Sequence, residues 1–208
     1  MPNQPRRYVL LNRDGVINRR IIGGYVTSWQ HFEFLPHALD ALRLLAENGY
    51  ASLAISHQAG VSQKLMTVAN LELITRRFMM EAALAGGNII QVYYCVHGAE
   101  DGCSCRKPQP GLIKRAQLDY GFVPQDTFFV GDSPEDIAVA ASAGCPSIRV
   151  WREAFLEKRE AGERPAALAS NLYEAAQVII ARQRHDDLWM QNPATEPEPM
   201  RSFSANHN

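Results

Sequence analysis

The chain predicts an α/β fold, a doubly wound parallel sheet with no large cap. Two observations carry this. Short apolar runs alternate with amphipathic stretches of helical period, and each apolar run ends in a polar cluster. "YVLLN" (8–12) reads as the first strand. "PHALDALRLLAENGY" (36–50) reads as a helix, with Leu39, Leu42 and Leu45 on one face, proline at its start and Asn48-Gly49 at its end. "ASLAIS" (51–56) is a second strand, 67–85 a second helix, and the β-branched and aromatic run "IIQVYYC" (89–95) a third strand. Helix 110–121, strand 127–130, helix 133–144 with Pro134 in its first turn, and strand 146–151 continue the alternation. A last helix at 165–183 closes a single domain spanning 1–183, and 184–208, rich in Pro, Asn and charge, is expected to be a flexible tail. Met66, Met79 and Met80 are expected in the core on the long second helix, and Trp29, Phe32 and Phe34 are expected to pack the segment after the first strand.

Composition limits the functions available. With 46% hydrophobic and 21% charged residues, the 208-residue chain can bury one good core. A net charge of −1 without a Lys/Arg stripe argues against nucleic acid or anionic lipid as partners and leaves small molecules. No run approaches the 18 or so apolar residues of a membrane span. The N-terminal "MPNQPRRY" carries no apolar targeting segment, so the expected location is the cytoplasm. A monomer is expected.

In such a sheet, ligands bind at the carboxyl ends of the strands. The first strand delivers Asn12 and Asp14 there, and the second delivers Ser56, His57 and Gln58. The segment after the third brings Arg106 and Lys107, and "FFVGDSPED" brings Asp132 and Asp136. These types suit a phosphate ester. Asp14 and Asp132 can hold Mg²⁺, Lys107 can neutralise phosphate oxygens, and the Ser56 hydroxyl can donate to one. Taken alone, "GDSPED" before a helix is no more than an N-cap with acidic residues favouring the dipole. Joined to Asp14 and Lys107, it reads as part of a site.

Three of the four cysteines lie between 95 and 105. Cys95 and His97 are two apart, as are Cys103 and Cys105, and five residues separate the pairs. That spacing suits one tetrahedral Zn²⁺, and four protein ligands leave no place for water, so the metal should be structural. It would hold the loop from which Arg106 and Lys107 follow. Cys145 stands alone, as a small buried residue.

The order "LLNRDGVIN", "AISHQAG", "CRKPQPG" and "VGDSPEDI" resembles the four motifs of the haloacid dehalogenase superfamily, whose phosphatases form an aspartyl-phosphate on the first motif. "GYV" (24–26), "FEFLP" (32–36), "YYCVH" (93–97) and "CSCRKPQPG" (103–111) narrow the likeness to the D-glycero-D-manno-heptose 1,7-bisphosphate phosphatases and the related histidinol-phosphatase domain. The resemblance covers about residues 8–183. It implies a sugar phosphate as ligand, Asp14 as general acid/base and, through its carbonyl, a Mg²⁺ ligand, and Asp132 as the metal carboxylate. It also implies that Asp136 steadies Lys107, and that Arg106 and Lys107 face the substrate phosphate. The nucleophile position holds Asn12 in place of aspartate, Ser56-His57-Gln58 stands where Thr-Asn-Gln is usual, and Gln63 and Lys64 stand near a missing arginine. An amide offers phosphorus no anionic oxygen and Mg²⁺ only a dipole, so the expectation is a phosphatase of low or absent activity, or a non-catalytic protein that binds sugar phosphates or regulates a catalytic partner. The accompanying changes at 57 and 62–64 favour divergence over an isolated replacement.

Overall fold

Alternation along the first strand sets up two layers. In β1 (Arg7–Leu11), Val9 and Leu11 point to one face of the sheet and Leu10 to the other, and all three are fully buried. The computed structural model describes residues 7–150 and 164–191, in which six strands form one parallel sheet. The others are β2 (Tyr50–His57), β3 (Ile89–Cys95), β4 (Phe129–Gly131), β5 (Ser147–Val150) and β6 (Ala167–Ala169). Their order is β3-β2-β1-β4-β5-β6. The chain therefore winds outward from β1 first one way and then the other, leaving a switch point between β1 and β4.

Among the described residues, five α-helices cover the sheet: α1 (Ala38–Glu47), α2 (Val68–Leu84), α3 (Gly111–Tyr120), α4 (Pro134–Ala143) and α5 (Leu172–Gln191). One apolar cluster joins Val9, Leu11 and Val130 to Leu42 and Leu45 of α1, Ile74 and Phe78 of α2, and Ile179 of α5. The opposite cluster joins Leu10, Leu53 and Phe129 to Ile113 of α3 and Val139 of α4. Each such fully buried side chain contributes roughly 1.5–3 kcal/mol of transfer free energy. Trp29, Phe32 and Phe34 pack on one another, and Phe32 stacks on Phe78 at 5.4 Å, anchoring the segment after β1 to α2. That segment, residues 12–37, carries only a short 3-10 turn (Trp29–His31) as regular helix, so no cap domain is inserted there.

Four expectations need correction. The closing helix begins at Leu172, because Ala167–Ala169 instead pair with Ile148–Val150 as the edge strand β6. The helix also runs to Gln191, eight residues into the expected tail, where Arg7 pairs with Asp187 at 2.8 Å and Gln183 bonds the same carboxylate. Residues 192–208, and Trp151, which was expected to end the fifth strand, lie outside the described residues. Met80 is 53% exposed on the outer face of α2, and Met66, though buried, precedes that helix.

Candidate functional site

The polar clusters meet at the switch point. β1 ends at Leu11, paired with Val130 of β4, so Asn12 and the Gly131-Asp132 turn emerge side by side. Two glycines make that approach possible. A Cβ on Gly15, which has φ +92°, would come within 1.9 Å of an Asp132 carboxylate oxygen, and one on Gly131 within 2.2 Å of the Asp136 Cβ. α4 starts with a capping box. Ser133 accepts from the Asp136 N–H, while the Asp136 carboxylate takes the N–H groups of Asp132 and Ser133.

Asn12 is held by four partners. Its Oδ1 accepts from Lys107 Nζ at 3.1 Å and from the Arg13 N–H at 3.0 Å. Its Nδ2 donates to the Asp14 carbonyl at 2.8 Å and to Asp132 Oδ1 at 2.9 Å. Two donors on one side and two acceptors on the other fix which way the amide faces. Lys107 also bonds the Ile55 carbonyl at 3.2 Å and Asp136 Oδ1 at 2.6 Å. Burial alone would raise the Asp136 pKa, but Lys107 and the two N–H donors outweigh it and hold the carboxyl below its ordinary value. Asp132 goes the other way, pushed up to about 7 by burial and the neighbouring Asp136 charge, against the opposing pull of Arg20 and Asn12.

A cavity of about 560 Å³ opens over this edge. Asn12, Asp14, Ser56, His57, Arg106, Lys107 and Asp136 line it, so seven of the residues expected at the site share one space. Asp132 joins them through Asn12. Gln58 does not line it. It is fully buried beneath, and its amide donates to Asp14 and to the Ser56 hydroxyl. His57 Nε2 lies 3.1 Å from the His97 carbonyl, and burial, with Arg106 and Lys107 nearby, lowers its pKa. The ring is therefore neutral near pH 7, with the Nε2 hydrogen donated to that carbonyl.

Sequence reasoning missed three members. Arg13 is wholly buried and pairs with Asp14 at 3.0 Å, with its guanidinium 5.8 Å from the Tyr94 ring centre. Asn18, also buried, donates to Asp14 Oδ1. Arg20 lines the cavity and bonds Asp132 Oδ1 at 2.9 Å, while its neighbour Arg19 turns out to Glu33. The polar hook "NRDGVIN" was a signal for the first two, but "RR" gave none for which arginine points inward.

Beside the cavity, the ligand atoms of Cys95, His97, Cys103 and Cys105 all lie within 4.8 Å of one another. The Cys95 sulfur is 3.7 Å from both the Cys103 sulfur and His97 Nδ1. Thiolates on a zinc ion at about 2.3 Å would sit roughly 3.8 Å apart at tetrahedral angles, so the cluster has the dimensions of a metal site. Cys145 is buried apart from it.

The family model described as "HAD-hyrolase-like" matches residues 104–175. The D-glycero-alpha-D-manno-heptose-1,7-bisphosphate 7-phosphatase of Mycobacterium tuberculosis is 38% identical over 152 residues, 68% of this chain and 78% of that one. The D-glycero-beta-D-manno-heptose-1,7-bisphosphate 7-phosphatase of Pseudomonas aeruginosa is 32% identical over 145 residues, 70% of this chain and 81% of that one. Among solved structures, the D,D-heptose 1,7-bisphosphate phosphatase of B. bronchiseptica, complexed with magnesium and phosphate, superposes with a TM-score of 0.78 at 27% identity, covering 85% of this chain and 99% of that one. With a six-stranded parallel sheet of this order and relatives above 30% identity across most of their length, the chain belongs to the haloacid dehalogenase-like family of heptose-1,7-bisphosphate 7-phosphatases.

Proposed function

We propose that the chain is a sugar-phosphate phosphatase of the heptose bisphosphate type whose turnover is held low by Asn12. The observation that carries this is the clamp on the Asn12 amide, at the end of β1 among the groups that would receive a phosphate. Ser56, Arg106 and Lys107 bind the phosphate, with His57 at the cavity wall. A carboxylate at position 12 would attack phosphorus and form an acyl phosphate, while Asp14 gives its proton to the departing sugar oxygen and later takes one from water. The amide cannot begin this sequence. Its oxygen is uncharged and already accepts two hydrogen bonds.

Magnesium needs oxygen donors. At position 12 the atom turned toward the Asp14 carbonyl and Asp132 is Nδ2, which bears hydrogens, so the donor set in this chain does not fit the ion. An aspartate there would complete it. The cysteine and histidine cluster does fit Zn²⁺, a closed structural site that anchors the loop carrying Arg106 and Lys107.

Asn12→Asp tests the reading. Phosphate release from both anomers of the heptose bisphosphate should rise by roughly 10³-fold or more over the unmodified chain. If the variant stays inactive although folded and zinc-loaded, the remodelled His57 neighbourhood has ended catalysis, and the chain is a sugar-phosphate binder. Ordinary enzymatic rates in the unmodified chain would remove Asn12 from the nucleophile position.

A further inference from the structure

We propose that this site takes the phosphate group of its ligand without a divalent cation. The Asn12 NH₂ group fills the point between the Asp14 carbonyl and Asp132, and Arg20 supplies the positive charge facing the phosphate. The inference rests on the phosphate-binding reading of the cavity and concerns what balances charge there.

Three facts lead to it. First, the oxygens a cation would join are already joined by the two amide hydrogens, at 2.8 and 2.9 Å, and the opposite side of the amide is fixed by Lys107 and the Arg13 N–H. Turning the amide over would set its NH₂ against those two donors while offering its oxygen to two acceptors, losing four hydrogen bonds at once. Second, Arg20 Nη2 bonds the same Asp132 oxygen at 2.9 Å, and its side chain is 39% exposed along the cavity wall. A guanidinium carries further N–H donors in a fork suited to phosphate. Third, the charges balance. The amide at position 12 carries no charge, so no cation is needed to offset one there, and Arg20 brings a positive charge to the Asp132 oxygen that the amide also bonds. Asp14, Asp132 and Asp136 each have a cation beside them, Arg13, Arg20 and Lys107 respectively, and among the described residues Arg106 pairs with no carboxylate. The incoming phosphate meets three acids around Asn12 that are already matched, while Glu135, also in the cavity lining, has no ion pair among the described residues.

Calorimetric titration of inorganic phosphate into the zinc-loaded chain tests this. Dissociation constants in excess Mg²⁺ and in a Mg²⁺-free buffer should agree within about twofold. Arg20→Gln should weaken binding about tenfold in both buffers, the size expected for one charge-assisted contact, and Arg20→Lys should recover part of it. Unchanged thermal midpoints and zinc content would show that these exposed-loop variants fold. In Asn12→Asp, Mg²⁺ should tighten phosphate binding by about tenfold or more. Tenfold tightening by Mg²⁺ in the unmodified chain would overturn the proposal. So would phosphate binding that Arg20→Gln leaves unchanged or strengthens, the latter marking Arg20 as a plug, and so would a folded chain that binds no phosphate. If Asn12→Asp shows no hydrolysis while the unmodified chain binds phosphate equally with and without Mg²⁺, the phosphatase reading falls and this one stands; the converse pattern does the reverse.

Discussion

The Lys107–Asp136 pair shows why single residues at this edge cannot be assigned to structure or to ligand alone. Lys107 is 9% and Asp136 1% exposed, and Lys107 also holds Asn12. Lys107→Met should therefore cost about 3–5 kcal/mol near neutral pH, because it strands a buried carboxylate. The pH dependence follows from the depressed Asp136 pKa. Unfolded, the carboxyl titrates near 3.9, so the pair contributes its full stability above that value and loses it as pH falls through the lower folded pKa. Urea unfolding should show a wide gap between Lys107→Met and the unmodified chain near pH 7, narrowing toward about pH 3. An equal gap at both would separate the pair from the acid limb. Gly15→Ala presses on Asp132 at a positive φ, and should cost about 1–3 kcal/mol and weaken phosphate binding, read by unfolding and titration together.

At the level of elements, the loop after β3 links two sites. His57, at the end of β2, bonds the His97 carbonyl within the cysteine and histidine cluster, and Lys107 follows the last of the cysteines by two residues. Cys103→Ser should lower bound zinc to well below one per chain and weaken phosphate binding although no phosphate contact is changed. Metal analysis and titration would show this, and intact phosphate binding in a zinc-free protein would argue against the link. Elements were legible where pattern and burial agree. Ile89–Cys95 is the strand its β-branched and aromatic run announces, and the Ser133-Pro134 start of α4 is written in its capping box. β6 was hidden because Ala167–Ala169 is only three residues at a sheet edge, with its one large apolar side chain, Leu168, exposed, and the end of α5 because its Asp187 is held by Arg7, 180 positions away. Arg20 was illegible for the same reason. Its partner Asp132 is 112 residues distant, and only the fold brings them together.

Across the whole molecule, the sheet order puts the site where the chain reverses its winding, and packing on both faces keeps that edge fixed. Phe78 of α2, fully buried, stacks on Phe32 and so anchors the segment after β1, part of which lines the cavity. Phe78→Ala should cost about 3–5 kcal/mol, visible as a lower thermal midpoint, and should loosen the segment bearing Arg20. The shared duties of Lys107, Asp136 and Asp14 have a consequence on the timescale of descent. Because these residues also satisfy one another in the interior, selection for a folded chain alone preserves most of this cluster, whether or not it serves a reaction. Codons for asparagine and aspartate differ by one base. On the reading proposed above, a lineage carrying this gene stays one base change from an aspartate at position 12, and the demands of folding protect the rest of the site from decay.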